Sequence, residues 1–136
     1  MTRVYADMVA DLFHAGHVAF LRQARALGDQ LVVGIHSDED VASYKRQPIC
    51  SMQERIAVVE ACSLVDEVVP CAPLSVDEAW IDLHRLDVVV HGSDFDPDSL
   101  SRFYPGAVRR GIVRTVPYTP GISTSDLLAR IAARGA

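Results

Sequence analysis

Short apolar runs alternate with amphipathic stretches along the whole chain. The runs are Arg3–Ala6, Gln30–His36, Glu67–Val69, Asp87–His91 and Ile112–Thr115. Leu31 to Ile35 and Val88 to Val90 are nearly continuous hydrophobics, the pattern of a strand buried on both faces of a parallel sheet. Between the runs lie helix signals. Phe20, Leu21, Ala24 and Leu27 follow the helical period, with Gly28 as the expected stop. Met52, Ile56 and Val59 form a second stripe, opened by Ser51 and Glu54 as a capping box. Ser75 with Glu78 predicts the same device, and Asp96-Pro97 reads as an N-cap followed by proline at the first helical position. Ser123 with Asp126 opens a last helix, with Leu127, Leu128 and Ile131 expected to face inward.

The order β-α-β-α-β-α-β-α-β predicts an α/β fold, a Rossmann-like doubly wound parallel sheet of about five strands. No linker or repeat divides the 136 residues, so one domain over 1–136 is expected. Ligands of such sheets sit outside the carboxyl ends of the strands. The loops 7–17, 91–96 and 117–124 are therefore where chemistry is expected.

Composition narrows the function classes. Hydrophobic residues make up 49% of the chain and aromatics 7%, so aliphatic side chains must fill most of the core. The formal charge of -5 speaks against a nucleic-acid partner held by a broad basic surface, yet leaves room for a phosphorylated small molecule held by a few cations. No run approaches the ~18 apolar residues of a membrane span, so membrane insertion is not expected. The first residues enter strand-like sequence without a charged leader, and Cys50, Cys62 and Cys71 show no CxxC spacing. Together these predict a cytoplasmic protein with reduced, mostly buried thiols.

The first loop reads Asp11-Leu12-Phe13-His14-Ala15-Gly16-His17 and runs into a helix. A helix N-terminus presents unpaired N–H groups and partial positive charge, a natural seat for an anion. His14 and His17 can add hydrogen bonds to phosphate oxygens that gain charge in a transition state. Gly16 lets a ligand approach the backbone closely. The same histidines can also cap the helix, line the core, or bind zinc with His36, His84 or His91. The last loop, Pro117 to Asp126, places the Gly121 turn and the hydroxyls of Ser123, Thr124 and Ser125 at a second helix N-terminus, suited to a β- or γ-phosphate.

His-Ala-Gly-His at 14–17 together with Gly-Ile-Ser-Thr-Ser at 121–125 resembles the cytidylyltransferase branch of the HxGH nucleotidyltransferases. The resemblance runs nearly the whole length, through Leu21 to Asp29, Val33 to Glu39, Glu54-Arg55, Val65 to Val69 and Val90 to Asp94. Phosphoethanolamine and phosphocholine cytidylyltransferases are the nearer match, and glycerol-3-phosphate cytidylyltransferase a more distant one.

The resemblance implies that CMP passes from CTP to a small phospho- or phosphono-alcohol, phosphoethanolamine-like, with release of pyrophosphate. It implies His14, His17 and Lys45 as catalytic residues. It implies nucleotide contacts from Val9, Ala10, Asp11, Gly16, His91, Gly92, Asp94, Tyr118, Gly121, Ile122, Ser123 and Thr124, and acceptor contacts from Asp11, Lys45 and Arg55. It also implies Mg2+ as cofactor without a protein metal site, and a homodimer that pairs near Val65–Val69. An adenylyltransferase of the same superfamily and a non-catalytic nucleotide-binding paralogue are the rival readings. The chain departs from the pattern at three places: Met8 stands where glycine is usual, and Ser63 and Tyr118 where arginine is usual. These departures suggest a divergent subgroup, with Arg46 or Arg114 as substitute cations.

Overall fold

A computed structural model describes residues 1–135. Every expected run becomes a strand: β1 (Arg3–Met8), β2 (Gln30–Ile35), β3 (Glu67–Pro70), β4 (Val88–Gly92) and β5 (Val113–Val116). All pair in parallel, in the order β3-β2-β1-β4-β5. The order reverses between β1 and β4, which puts the switch point at their adjoining carboxyl ends.

The helices are α1 (Ala15–Arg25), α2 (Asp38–Ala42), α3 (Met52–Glu60), α4 (Glu78–His84), α5 (Pro97–Phe103), α6 (Pro105–Arg110) and α7 (Thr124–Ala133). They cover both faces of the sheet. Because successive strand residues point to opposite faces, Val4 and Ala6 of β1 join one core with Leu21 and Ala24 of α1 and Val59 of α3. Tyr5 joins the other, with Ile81 of α4 and Ala107 of α6. The predicted doubly wound α/β sheet is therefore the observed one.

Several local expectations need correction. The helix after residue 75 starts later, because Asp77 rather than Ser75 is its N-cap and accepts the Trp80 N–H at 2.8 Å. The helix expected after Asp96 starts there, with Pro97 in its first turn, and a second helix follows from Pro105 before β5. Helix α1 ends at Arg25, so Leu27 lies in the turn beyond it and is exposed. Ile131 is 57% exposed, so α7 does not bury the third residue of its expected inner face. The thiols are not mostly buried: Cys50 and Cys62 are half-buried and Cys71 is exposed.

Candidate active site

The loop after β1 turns twice through left-handed backbone, at Ala10 (φ 60°) and Leu12 (φ 50°). Met8 lies in the strand, paired with Ile35, and needs no glycine-like conformation. The departure at that position therefore changes volume and leaves the chain path intact. Asp11 closes the loop: its carboxylate accepts the backbone N–H groups of Ile49 at 2.9 Å and Cys50 at 3.0 Å. Its carbonyl accepts the Thr124 hydroxyl at 2.9 Å. One buried residue thus ties together the three segments that surround the site.

The two histidines are themselves the cap of α1. His14 is the N-cap, and its Nδ1 accepts the Gly16 N–H at 3.0 Å. His17 is the third helical residue, and its Nδ1 accepts the His14 N–H at 3.1 Å. A neutral imidazole that accepts at Nδ1 must carry its proton on Nε2. The capping box therefore fixes both rings as Nε2–H donors, with centroids 3.9 Å apart. A side chain at Gly16 would approach His14 Cε1 to 2.8 Å, so glycine is needed for the ring to lie here.

Burial keeps these rings neutral. It pushes His17 down to about 4, helped by His14 and opposed by Asp11. It also lowers His14, against the pull of Asp126. At neutral pH each ring is thus a neutral donor. Both Nδ1 atoms are engaged in the cap, and among the described residues no three His, Cys, Asp or Glu side chains are grouped so as to hold a metal ion.

Facing them is the N-terminus of α7. Gly121 turns through φ 95°, and Ser123 then caps the helix by accepting the Asp126 N–H at 3.0 Å. A cleft of about 590 Å³ lies between the two helix ends. Its walls include His14, Gly16, His17, Lys45, His91, Gly92, Asp94, Tyr118, Ile122, Ser123 and Thr124. A smaller recess of about 160 Å³ continues from it, lined by Val9, Ala10, Asp11, His17 and Lys45. Fourteen of the residues singled out in the sequence are therefore brought together, and Gly121 lies in the turn that leads to α7.

Arg55 is the exception. It is 1% exposed and lines neither space. Its guanidinium donates to the carbonyls of Val9 at 2.6 Å and Cys50 at 3.2 Å and pairs with Asp38 at 2.7 Å. In this structure Arg55 braces the β1 loop against α3 and pairs with a carboxylate, and its side chain is closed off from both spaces.

Asp7, which the sequence reading passed over, stands on the wall of the larger cleft at the end of β1. Its side chain is 5% exposed. Tyr104 donates its hydroxyl to Oδ1, and His36 Nε2 lies 3.8 Å from Oδ2. No lysine or arginine pairs with it among the described residues. Burial raises its pKa, offset in part by His36, the Tyr104 hydrogen bond and His91. An acid directly after an apolar run, at the carboxyl end of a central strand, was the available signal.

The model of the cytidylyltransferase-like family matches residues 6–130. The chain belongs to the cytidylyltransferase-like family. It is similar to the ethanolamine-phosphate cytidylyltransferases of Dictyostelium discoideum (42% identical, 95% of this chain and 36% of that protein) and Mus musculus (41% identical, 96% and 33%). It is also 37% identical to the choline-phosphate cytidylyltransferase A of Homo sapiens, over 95% of this chain and 36% of that protein. The chain thus spans about a third of the length of these relatives. Among solved structures it resembles the lipopolysaccharide core biosynthesis protein of Thermoplasma volcanium, with a TM-score of 0.71 and 27% identity, covering 88% of this chain and 99% of that one.

Proposed function

We propose that this protein transfers CMP from CTP to a phosphoethanolamine-like acceptor and releases pyrophosphate. The observation that carries the reading is the pair of histidine Nε2–H donors at one helix N-terminus, facing a second helix N-terminus across a cleft. The acceptor's phosphate oxygen attacks the α-phosphorus of CTP. One P–O bond forms, the bond to the β-phosphate oxygen breaks, and its electron pair leaves with pyrophosphate. The attacking oxygen is ionised at neutral pH, so no general base is needed. Catalysis is then positioning plus stabilisation of charge on the non-bridging oxygens. The neutral His14 and His17 donors, Lys45 and the Ser123 and Thr124 amides serve that end.

Asp7 supports the class of acceptor. A buried carboxylate without a lysine or arginine partner is costly and is stabilised by a positively charged ligand. The ammonium of phosphoethanolamine supplies that charge, and its N–H groups can donate to the carboxylate. The names of the similar proteins point the same way. No cage of protein ligands for magnesium exists among the described residues, so Mg2+ would belong to the nucleotide's phosphates.

We further propose a cytoplasmic location, which suits the three free thiols. No described helix is long and apolar enough to cross a membrane. A homodimer formed at Val65–Val69 is also proposed. There β3 is an edge strand with one side of its backbone unpaired by the sheet.

Pyrophosphate release tests the reading, measured with CTP or ATP against phosphoethanolamine, phosphocholine, glycerol 3-phosphate and a hydroxyalkylphosphonate. CTP is expected to exceed ATP by at least about tenfold, roughly 1.4 kcal/mol. Phosphoethanolamine should be the best acceptor, and chelation of magnesium should stop turnover. Equal rates with both nucleotides would refute the cytidine preference. Release with none of the acceptors would favour a nucleotide-binding paralogue.

A further inference from the structure

Lys45 and Arg46 are adjacent cations in the segment between α2 and α3. Asp11 anchors the far end of that segment through Ile49 and Cys50. Both side chains line both the cleft and its recess. Neither has a carboxylate within ion-pair distance among the described residues, although ion pairs hold Arg3, Arg25, Arg55, Arg109 and Arg110 elsewhere. Two like charges side by side repel, and here they stand over the positive end of a helix. Arg46 Nη1 lies 3.4 Å from the hydroxyl of Ser125, the second residue of α7. A side chain that reaches from one segment to the first turn of another helix is placed to touch whatever anion that turn receives. Asp7, Asp11 and Asp94 line the same spaces, but no carboxylate among the described residues forms an ion pair with Lys45 or Arg46, which leaves both cations able to meet an anionic ligand.

Among the described residues that line the cleft, Lys45 and Arg46 are the only lysine and arginine. Tyr118 lies on the cleft, just before the α7 turn, and is 54% exposed. This is the position where the sequence departs from an expected arginine.

We infer that Arg46 binds the β- and γ-phosphates of the nucleotide, and so the leaving pyrophosphate, supplying from the 43–51 segment the charge that position 118 does not. The inference rests on the nucleotidyl-transfer reading above. A guanidinium suits the task because it offers several N–H donors in one plane and is always charged. Lys45 then needs to serve only one side of the reacting phosphorus, and Arg46 the leaving group.

A charge-relocation experiment tests this. Arg46→Gln, Tyr118→Arg and the double variant are compared with the unaltered protein in steady-state kinetics and in calorimetric titration with inorganic pyrophosphate. Arg46 is exposed, so melting curves should be unchanged by its replacement. Arg46→Gln is expected to raise the CTP KM and weaken pyrophosphate binding by roughly ten- to a hundredfold, with the acceptor KM unchanged. Adding Tyr118→Arg should restore most of both losses. Unchanged CTP KM and pyrophosphate affinity in Arg46→Gln would overturn the inference, as would a rise confined to the acceptor KM. A double variant no better than Arg46→Gln would overturn the relocation of charge. If the unaltered protein turns over no substrate, the reading of its reaction fails. The pyrophosphate titration still decides whether Arg46 holds the anion.

Discussion

At the scale of single residues, Asp7 and Arg55 show how burial separates roles that residue type alone leaves open. Both are charged and both are closed to solvent, but Arg55 has three partners and Asp7 has one close hydrogen bond. Arg55 lies three residues after Met52 and four before Val59, on the same apolar stripe of α3. That spacing turns it inward, whereas the resemblance implied a ligand contact. Asp7 was hidden because an apolar-run reading ends the first strand at Ala6. A prediction follows from its environment. Burial raises its folded-state pKa, so its contribution favours the fold at low pH and is lost as pH rises through that value. Above the ordinary carboxylate range this burial therefore costs the fold stability. Asp7→Asn keeps an acceptor for Tyr104 and removes the charge. It should raise the melting temperature at pH 7 and raise the acceptor KM by roughly ten- to a hundredfold, leaving the CTP KM unchanged. A lower melting temperature with an unaltered acceptor KM would remove Asp7 from the binding site.

Among elements, the strands were readable because continuous apolar runs and period-2 burial leave few alternatives. Helix starts were readable where one side chain could cap. Ser51, Asp96 and Ser123 all accept the N–H three residues on, as the sequence implied. At the fourth helix the expected Ser75 is not the cap: Asp77 holds that position, and Ser75 donates to the Arg102 carbonyl. The least expected cap is the histidine pair of α1, where the bland and the functional readings coincide: the hydrogen bonds that start the helix also fix which ring nitrogen donates. Strand β3 carries the prediction at this scale. As an edge strand it leaves backbone groups unpaired, a surface that natural sheets cover or block. Covering it with a second copy predicts a light-scattering mass of twice the 14.9 kDa chain at micromolar concentration. A mass of one chain would contradict the dimer.

For the whole molecule, the alternation of elements implied parallel strands, but sheet order is a matter of long-range packing that local pattern does not encode. The order decides where the site lies, because only the β1–β4 junction brings the loops after both strands under the α7 turn. The -5 charge likewise says little about the cleft, where Lys45, Arg46 and two helix N-termini make a local positive field within an acidic chain. The account stands or falls on whether that field acts on a reacting phosphorus. Steady-state kinetics of His14→Ala and His17→Ala with CTP and phosphoethanolamine, each with a melting curve, test this most directly. If the Nε2–H donors stabilise charge in the transition state, each variant should lose on the order of a hundred- to a thousandfold in kcat while its CTP affinity changes less. Near-normal turnover in a folded double variant would contradict the mechanism.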